Sequence, residues 1–155
     1  MKLLRKPVSG LMLTLFLIGA LTLSFNIQPV KASGTVYIRA DGSIDPPTAP
    51  IRRDGDIYTF TDNIYDEIVV ERDNIIVDGA GYTLQGTGAS NSKGINLSGK
   101  SNVTIKSTNV KDFSFGIYLS GSSNNSIAGN NIANNWYGIK LDDSSNNGIY
   151  HITIS

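Results

Sequence analysis

From Gly94 onward, short runs of alternating apolar and polar residues give way to Gly, Asn and Ser, and the pattern returns every 22 residues. Gly94-Ile95-Asn96-Leu97 falls on Gly116-Ile117-Tyr118-Leu119, and that on Gly138-Ile139-Lys140-Leu141. Ser101-Asn102 falls on Ser123-Asn124 and Ser145-Asn146, and Ile105 on Ile127 and Ile149. Asn109-Val110 falls on Asn131-Ile132, Ile132 on Ile154, and Phe115 on Tyr137. Self-similarity at such a period marks a repeat architecture. Within one repeat, Ile117 and Leu119 alternate with polar neighbours, Ser120 to Asn125 turn the chain, and shorter segments follow at Ile127 and Ile132. Alternation places Ile and Leu on one face of a strand. Asn and Gly suit the corners because they tolerate left-handed backbone angles.

One repeat cannot bury its apolar face alone. Stacking repeats buries a column of Ile and Leu and pairs backbone groups between coils at ~4.8 Å. The expected fold is therefore all-β: a right-handed parallel β-helix of about 22-residue coils over 73–155, with an N-terminal β cap over 33–72. Leucine-rich repeats have a similar length but need a dense Leu-x-x-Leu-x-Leu pattern that is absent here. The cap is read from strand-like pieces at Thr35–Arg39, Ile57–Thr61 and Glu67–Glu71, the first two separated by the Pro-rich link Asp45–Pro50. Asn74-Ile75-Ile76-Val77 resembles Asn102-Val103-Thr104-Ile105 at a shift of about 28, and an insertion around Gly86–Ser92 is expected to hold the surplus. The repeat predicts a Gly-Asn-Asn corner after Ile149, where His151-Ile152-Thr153 stands instead. The coils are expected to be incomplete at Ser155, as in a piece of a longer β-helix, with an edge open to end-to-end self-association.

Residues 1–32 break the pattern. Lys2, Arg5 and Lys6 precede an apolar run from Leu11 to Phe25, and Val30-Lys31-Ala32 places small residues at −3 and −1. This is the layout of a cleavable secretory signal peptide, with cleavage after Ala32. The competing reading is a membrane anchor, for which the run falls short of the ~20 apolar residues of a spanning helix. The expected location is secreted or cell-surface. Four of the 13 Lys+Arg lie in this segment and none of the 13 Asp+Glu does, so residues 33–155 carry a net charge of −4. A balance of that sign argues against nucleic acid as a partner. The chain has no cysteine, which excludes disulfides and thiolate chemistry.

Asp73-Asn74-Ile75-Ile76-Val77-Asp78-Gly79-Ala80-Gly81-Tyr82-Thr83-Leu84 resembles the opening coil of NosD-like right-handed β-helix proteins, whose fold is pectin-lyase-like. The Tyr-Gly-Ile-x-Leu-x-x-Ser-Ser-Asn-Asn motif at 137–147 resembles their repeat. Similar chains are frequent among archaeal exported and surface proteins, and members are often longer. The resemblance implies a fold more than an activity, because β-helices host many functions.

Three functions follow as expectations. The first is an exported surface module, a scaffold or weak binder of a polysaccharide or a cell-surface protein, without its own catalytic site. The second is a polysaccharide lyase or hydrolase, or a piece of one. Such enzymes pair carboxylates on one face, whereas Asp112, Asp142 and Asp143 fall over Ser, Gly or Asn in neighbouring repeats. The third is a copper-handling accessory protein, as the family name implies. Copper ligands are His, Met and Cys, and this chain offers His151, with Met only at 1 and 12.

Candidate sites follow from residue type. Tyr118 and Trp136 are glycan-stacking candidates, with Tyr118 expected to be the more exposed and Phe115/Tyr137 expected to form an internal stack. Asp142 and Asp143 are weak calcium candidates, and no other cofactor is expected. Asn96, Asn102 and Asn124 begin Asn-x-Ser/Thr triplets and are N-glycosylation candidates. Asn125 and Asn147 are expected to form a stacked ladder of corner amides.

Overall fold

The computed structural model describes residues 34–155, which form one compact unit. The expected signal segment, 1–32, lies outside the described residues. All regular structure among them is β. The chain enters through β1 (Val36–Ile38), β2 (Ile44–Asp45), β3 (Ile51–Asp54), β4 (Ile57–Phe60) and β5 (Ile68–Val70). The next coil is β6 (Ile76–Asp78), β7 (Thr83–Gln85) and β8 (Lys93–Asn96), followed by β9 (Thr104–Lys106), β10 (Asn109–Lys111) and β11 (Phe115–Ser120). Then come β12 (Ser126–Ala128), β13 (Asn131–Ala133) and β14 (Tyr137–Asp142), and finally β15 (Gly148–Tyr150) and β16 (Thr153–Ile154).

These strands form three walls. The first runs β14-β11-β8-β5-β1-β2, the second β15-β12-β9-β6-β4-β3, and the third β16-β13-β10-β7. Every pairing between successive coils is parallel. The register is the one that the repeat predicts: Ile117 lies between Ile95 and Ile139, Ile127 between Ile105 and Ile149, and Ile132 between Val110 and Ile154. The inward columns are fully buried from Ile38 and Ile68 through Ile95, Ile105, Ile117, Leu119 and Ile127. Each such side chain contributes ~1.5–3 kcal/mol by leaving water. The fold is a parallel β-solenoid.

Two details refine the sequence reading. Antiparallel β2 and β3 cover the edges of β1 and β4, which closes strand edges that would otherwise invite pairing. However, β1, β4 and β5 pair in parallel with the coils, so the stretch read as a cap already carries the coil ladder. The six surplus residues of the early coil are also divided. Ile76 to Thr83 spans seven positions against five from Thr104 to Asn109, so two lie in the Asp78–Tyr82 corner and four before Lys93.

Corners of the repeating coils share a two-residue unit: a residue with positive φ, then one whose side chain turns inward. Asn124 (φ 57°) precedes buried Asn125, Gly129 (63°) precedes buried Asn130, and Asn102 (54°) precedes buried Val103. His151 adopts φ 50° where Gly129 and Ser107 stand in earlier coils, so the coil geometry continues where the sequence departs from Gly-Asn-Asn.

Candidate functional site

The outer face of the first wall is where polar and aromatic chemistry gathers. Along β11, Ile117 and Leu119 are buried and alternate with outward Tyr118, while the buried Gly116-Ile117 pair interrupts the alternation and leaves Phe115 outward as well. Parallel register places Phe115 between Lys93 and Tyr137, and Tyr118 between Asn96 and Lys140. The Phe115 and Tyr137 rings stack with centroids 5.4 Å apart and planes 7° from parallel. This stack lies on the outside of the coil, with Tyr137 50% exposed, where an internal stack was expected. The reason is a break in alternation: Gly116 and Ile117 are both buried, so Phe115, two positions before Ile117, faces outward instead of sharing its side.

Tyr118 is half-buried and held on several sides. Its ring meets Phe115 at 5.4 Å, the Lys93 ammonium lies 4.7 Å from its centroid, and its hydroxyl donates to Asp142 Oδ2 at 2.9 Å. Lys140 is placed similarly, 5.3 Å from the Phe115 ring, 5.8 Å from the Tyr137 ring and 3.2 Å from Asp142. Trp136 is 83% exposed. It lines an open groove of about 260 Å³ with Ser90, Asn91, Ser114, Phe115 and Tyr137. Phe115 therefore joins the two predicted aromatics on one face, touching Tyr118 and lining the Trp136 groove. Sequence reasoning missed Ser90, Asn91 and Ser114. The signal for Ser114 was the 22-residue column Ser92–Ser114–Trp136, whereas Ser90 and Asn91 lie in the inserted stretch before Lys93, outside the repeat.

The other predicted residues fall elsewhere. Asp142 is engaged by Tyr118 and Lys140, while Asp143 is an exposed corner residue at φ 47°. Asn96 accepts hydrogen bonds from the Ser98 amide and hydroxyl, and Asn102 donates to Asn74 at 2.8 Å. Asn102 and Asn124 are exposed and stand one coil apart in the same corner column.

The amide ladder extends further than Asn125 and Asn147. Asn125, Asn130, Asn135 and Asn147 each accept the amide N–H of the residue 22 positions back, Val103, Thr108, Phe113 and Asn125 respectively. Each also donates to the carbonyl 25 positions back, of Lys100, Ile105, Val110 and Ser122. One coil thus carries an inward amide at all three corners, satisfying backbone groups that the turns leave unpaired.

Acidic side chains of the coils are also engaged. Asp78 would be raised by burial. The hydrogen bond and charge of Lys106, at 2.9 Å, and the Ala80 N–H outweigh that and hold its carboxyl below the usual range. That direction is opposite to the one a general acid needs. Asp73 accepts the Ser101 N–H.

A three-walled parallel solenoid with an exposed aromatic face defines the class: an all-β repeat protein of the β-helix type. The family described as "Periplasmic copper-binding protein (NosD)" matches residues 40–155, and the chain belongs to it. No curated protein and no solved structure matches.

The family description names copper, which calls for imidazole, thioether or thiolate donors. Among the described residues no three His, Cys, Asp or Glu side chains converge. His151 lies in a shallow depression with Ser, Thr, Asn and Gly neighbours, a setting of hydroxyls, amides and backbone. Copper prefers imidazole, thioether and thiolate, so residues 34–155 do not fit a copper centre.

Proposed function

We propose that this NosD-family chain is an exported β-helix module that binds carbohydrate on the outer face of its first wall. The observation that carries this reading is Trp136, which is 83% exposed beside the Phe115–Tyr137 stack and above a groove edged by hydroxyl and amide groups. An aromatic ring flanked by hydrogen-bonding groups is suited to a pyranose, whose C–H face stacks while its hydroxyls find polar partners. The family's periplasmic description and the signal-like residues 1–32 support export.

The module works as a rigid surface in this reading. Asp73, Asp78 and Asp142 are bound to cations, a hydroxyl or backbone amides, which supports a binder over a lyase or hydrolase. The test is a glycan array probed with the full chain and with Trp136→Ala. Retention of a glycan class by the wild type and its loss in the variant are expected. Equal binding by both contradicts the site.

A further inference from the structure

We infer that the Trp136 groove takes a neutral, linear glycan lying along the solenoid axis, with about one sugar unit per coil. The inference rests on the reading that this groove binds carbohydrate, and adds the ligand's class and direction. Direction comes from topology. Ser90 and Asn91 precede β8, Ser114 and Phe115 belong to the next coil, and Trp136 and Tyr137 to the one after. The backbone joins them in sequence: the Phe115 N–H donates to Ser92 O and the Tyr137 N–H to Ser114 O. The groove therefore crosses three coils at ~4.8 Å each, about 10 Å in all. A pyranose unit in an extended glycan advances by about one coil spacing, so successive sugars meet equivalent corners.

The class comes from charge. No ionic side chain lines the groove. The two nearby cations on the same face are already placed, Lys93 over Tyr118 and Lys140 over Phe115 and against Asp142. An acidic sugar would need a free cation. The groups that do line the groove suit hydroxyls. The Ser114 hydroxyl donates to Ala89 O at 3.1 Å, which leaves its lone pairs to accept. Ser90 and Asn91 are exposed at the rim, Asn91 in a left-handed corner at φ 60°.

The test uses the full chain and calorimetric titration with neutral oligosaccharides of two to six units, and with uronate oligosaccharides of the same lengths, at low and high salt. Neutral chains are expected to bind with affinity rising up to about three units and then levelling, unchanged by salt. Trp136→Ala is expected to weaken that binding at least tenfold, with Trp136→Phe recovering part of it. Circular dichroism of the variants should match the wild type, since the ring is exposed. Tighter binding of uronates that weakens with salt, while Trp136→Ala still abolishes it, overturns the neutral class and keeps the groove. Affinity that grows steadily to six units overturns the three-coil span. Binding indifferent to Trp136→Ala, or no binding of any oligosaccharide, overturns both this inference and the reading beneath it.

Discussion

Asn130 Oδ1 accepts the backbone N–H of Thr108, one coil behind it, at 3.0 Å, and its Nδ2 donates to Ile105 O at 3.0 Å. Asn130 is buried, and the Thr108 N–H, away from water, is paired by this one side chain. Removing it leaves that buried donor unsatisfied, at ~1–3 kcal/mol, and takes one partner from the Ile105 carbonyl. Asn130→Ala is expected to cost ~2–4 kcal/mol in a urea melt. Ser126→Ala, on an outward half-exposed position of the neighbouring strand, should change stability by less than ~0.5 kcal/mol. Equal effects would remove the amide from its role as a tie between coils.

Gly94 and Gly116 are held as glycine by lack of space. A Cβ on Gly116 would lie 2.5 Å from the Gly138 carbonyl oxygen, and one on Gly94 would lie 2.5 Å from that of Gly116. These neighbours are backbone and cannot swing aside. Gly116→Ala is expected to destabilise by ~1–3 kcal/mol through overpacking. A thermal melt of that variant matching wild type would mean that the coils are further apart at this wall.

Much of this architecture is legible in the sequence, and what is not has a common cause. The inward column Ile95–Ile117–Ile139 could be read because apolar side chains repeat at one phase of a short strand. The corner amides could not be fully assigned, because Asn serves two purposes side by side. Asn124 and Asn134 take positive φ, while their successors Asn125 and Asn135 turn inward to bond the coil behind. Composition treats all four alike. The separating signal is order within the pair, and it becomes visible only once Gly129-Asn130 shows which member needs backbone freedom. The aromatic face was half legible. Tyr118 and Trp136 were identifiable by type, but which was free depended on Lys93 and Asp142, partners from the coil before and the strand after.

The Asp78–Lys106 pair predicts a pH response. Asp78's carboxyl is held below its ordinary value, so its folded form binds protons less readily than its unfolded form. Its stabilisation is then fully present above the ordinary Asp value of about 4 and is lost as pH falls through its own lower value. Asp78→Asn is expected to be less stable than wild type at pH 7, and the gap should close on acidification below about pH 4. A gap that is constant across that window in denaturant melts would show that the pair contributes no linkage.

Donor chemistry makes a prediction about metal. Titrating the full chain with Cu(II) and Cu(I), followed by competition with a chelator, should reveal no site tighter than a single imidazole provides. His151→Ala should remove what weak binding remains at neutral pH. A tight stoichiometric site that survives His151→Ala would mean that oxygen and amide donors of the coils hold copper, contrary to their usual preference.

The sugar face can be tested by its own chromophore, because Trp136 is the single tryptophan of the chain. Fluorescence of the full chain, quenched by acrylamide with and without a neutral oligosaccharide that it binds, reads that ring directly. Red-shifted emission, strong quenching in the free protein, and protection from quenching on titration are expected. A blue-shifted, poorly quenched tryptophan in the free chain, or quenching unchanged at saturating glycan, would contradict the assignment of this face as the binding surface.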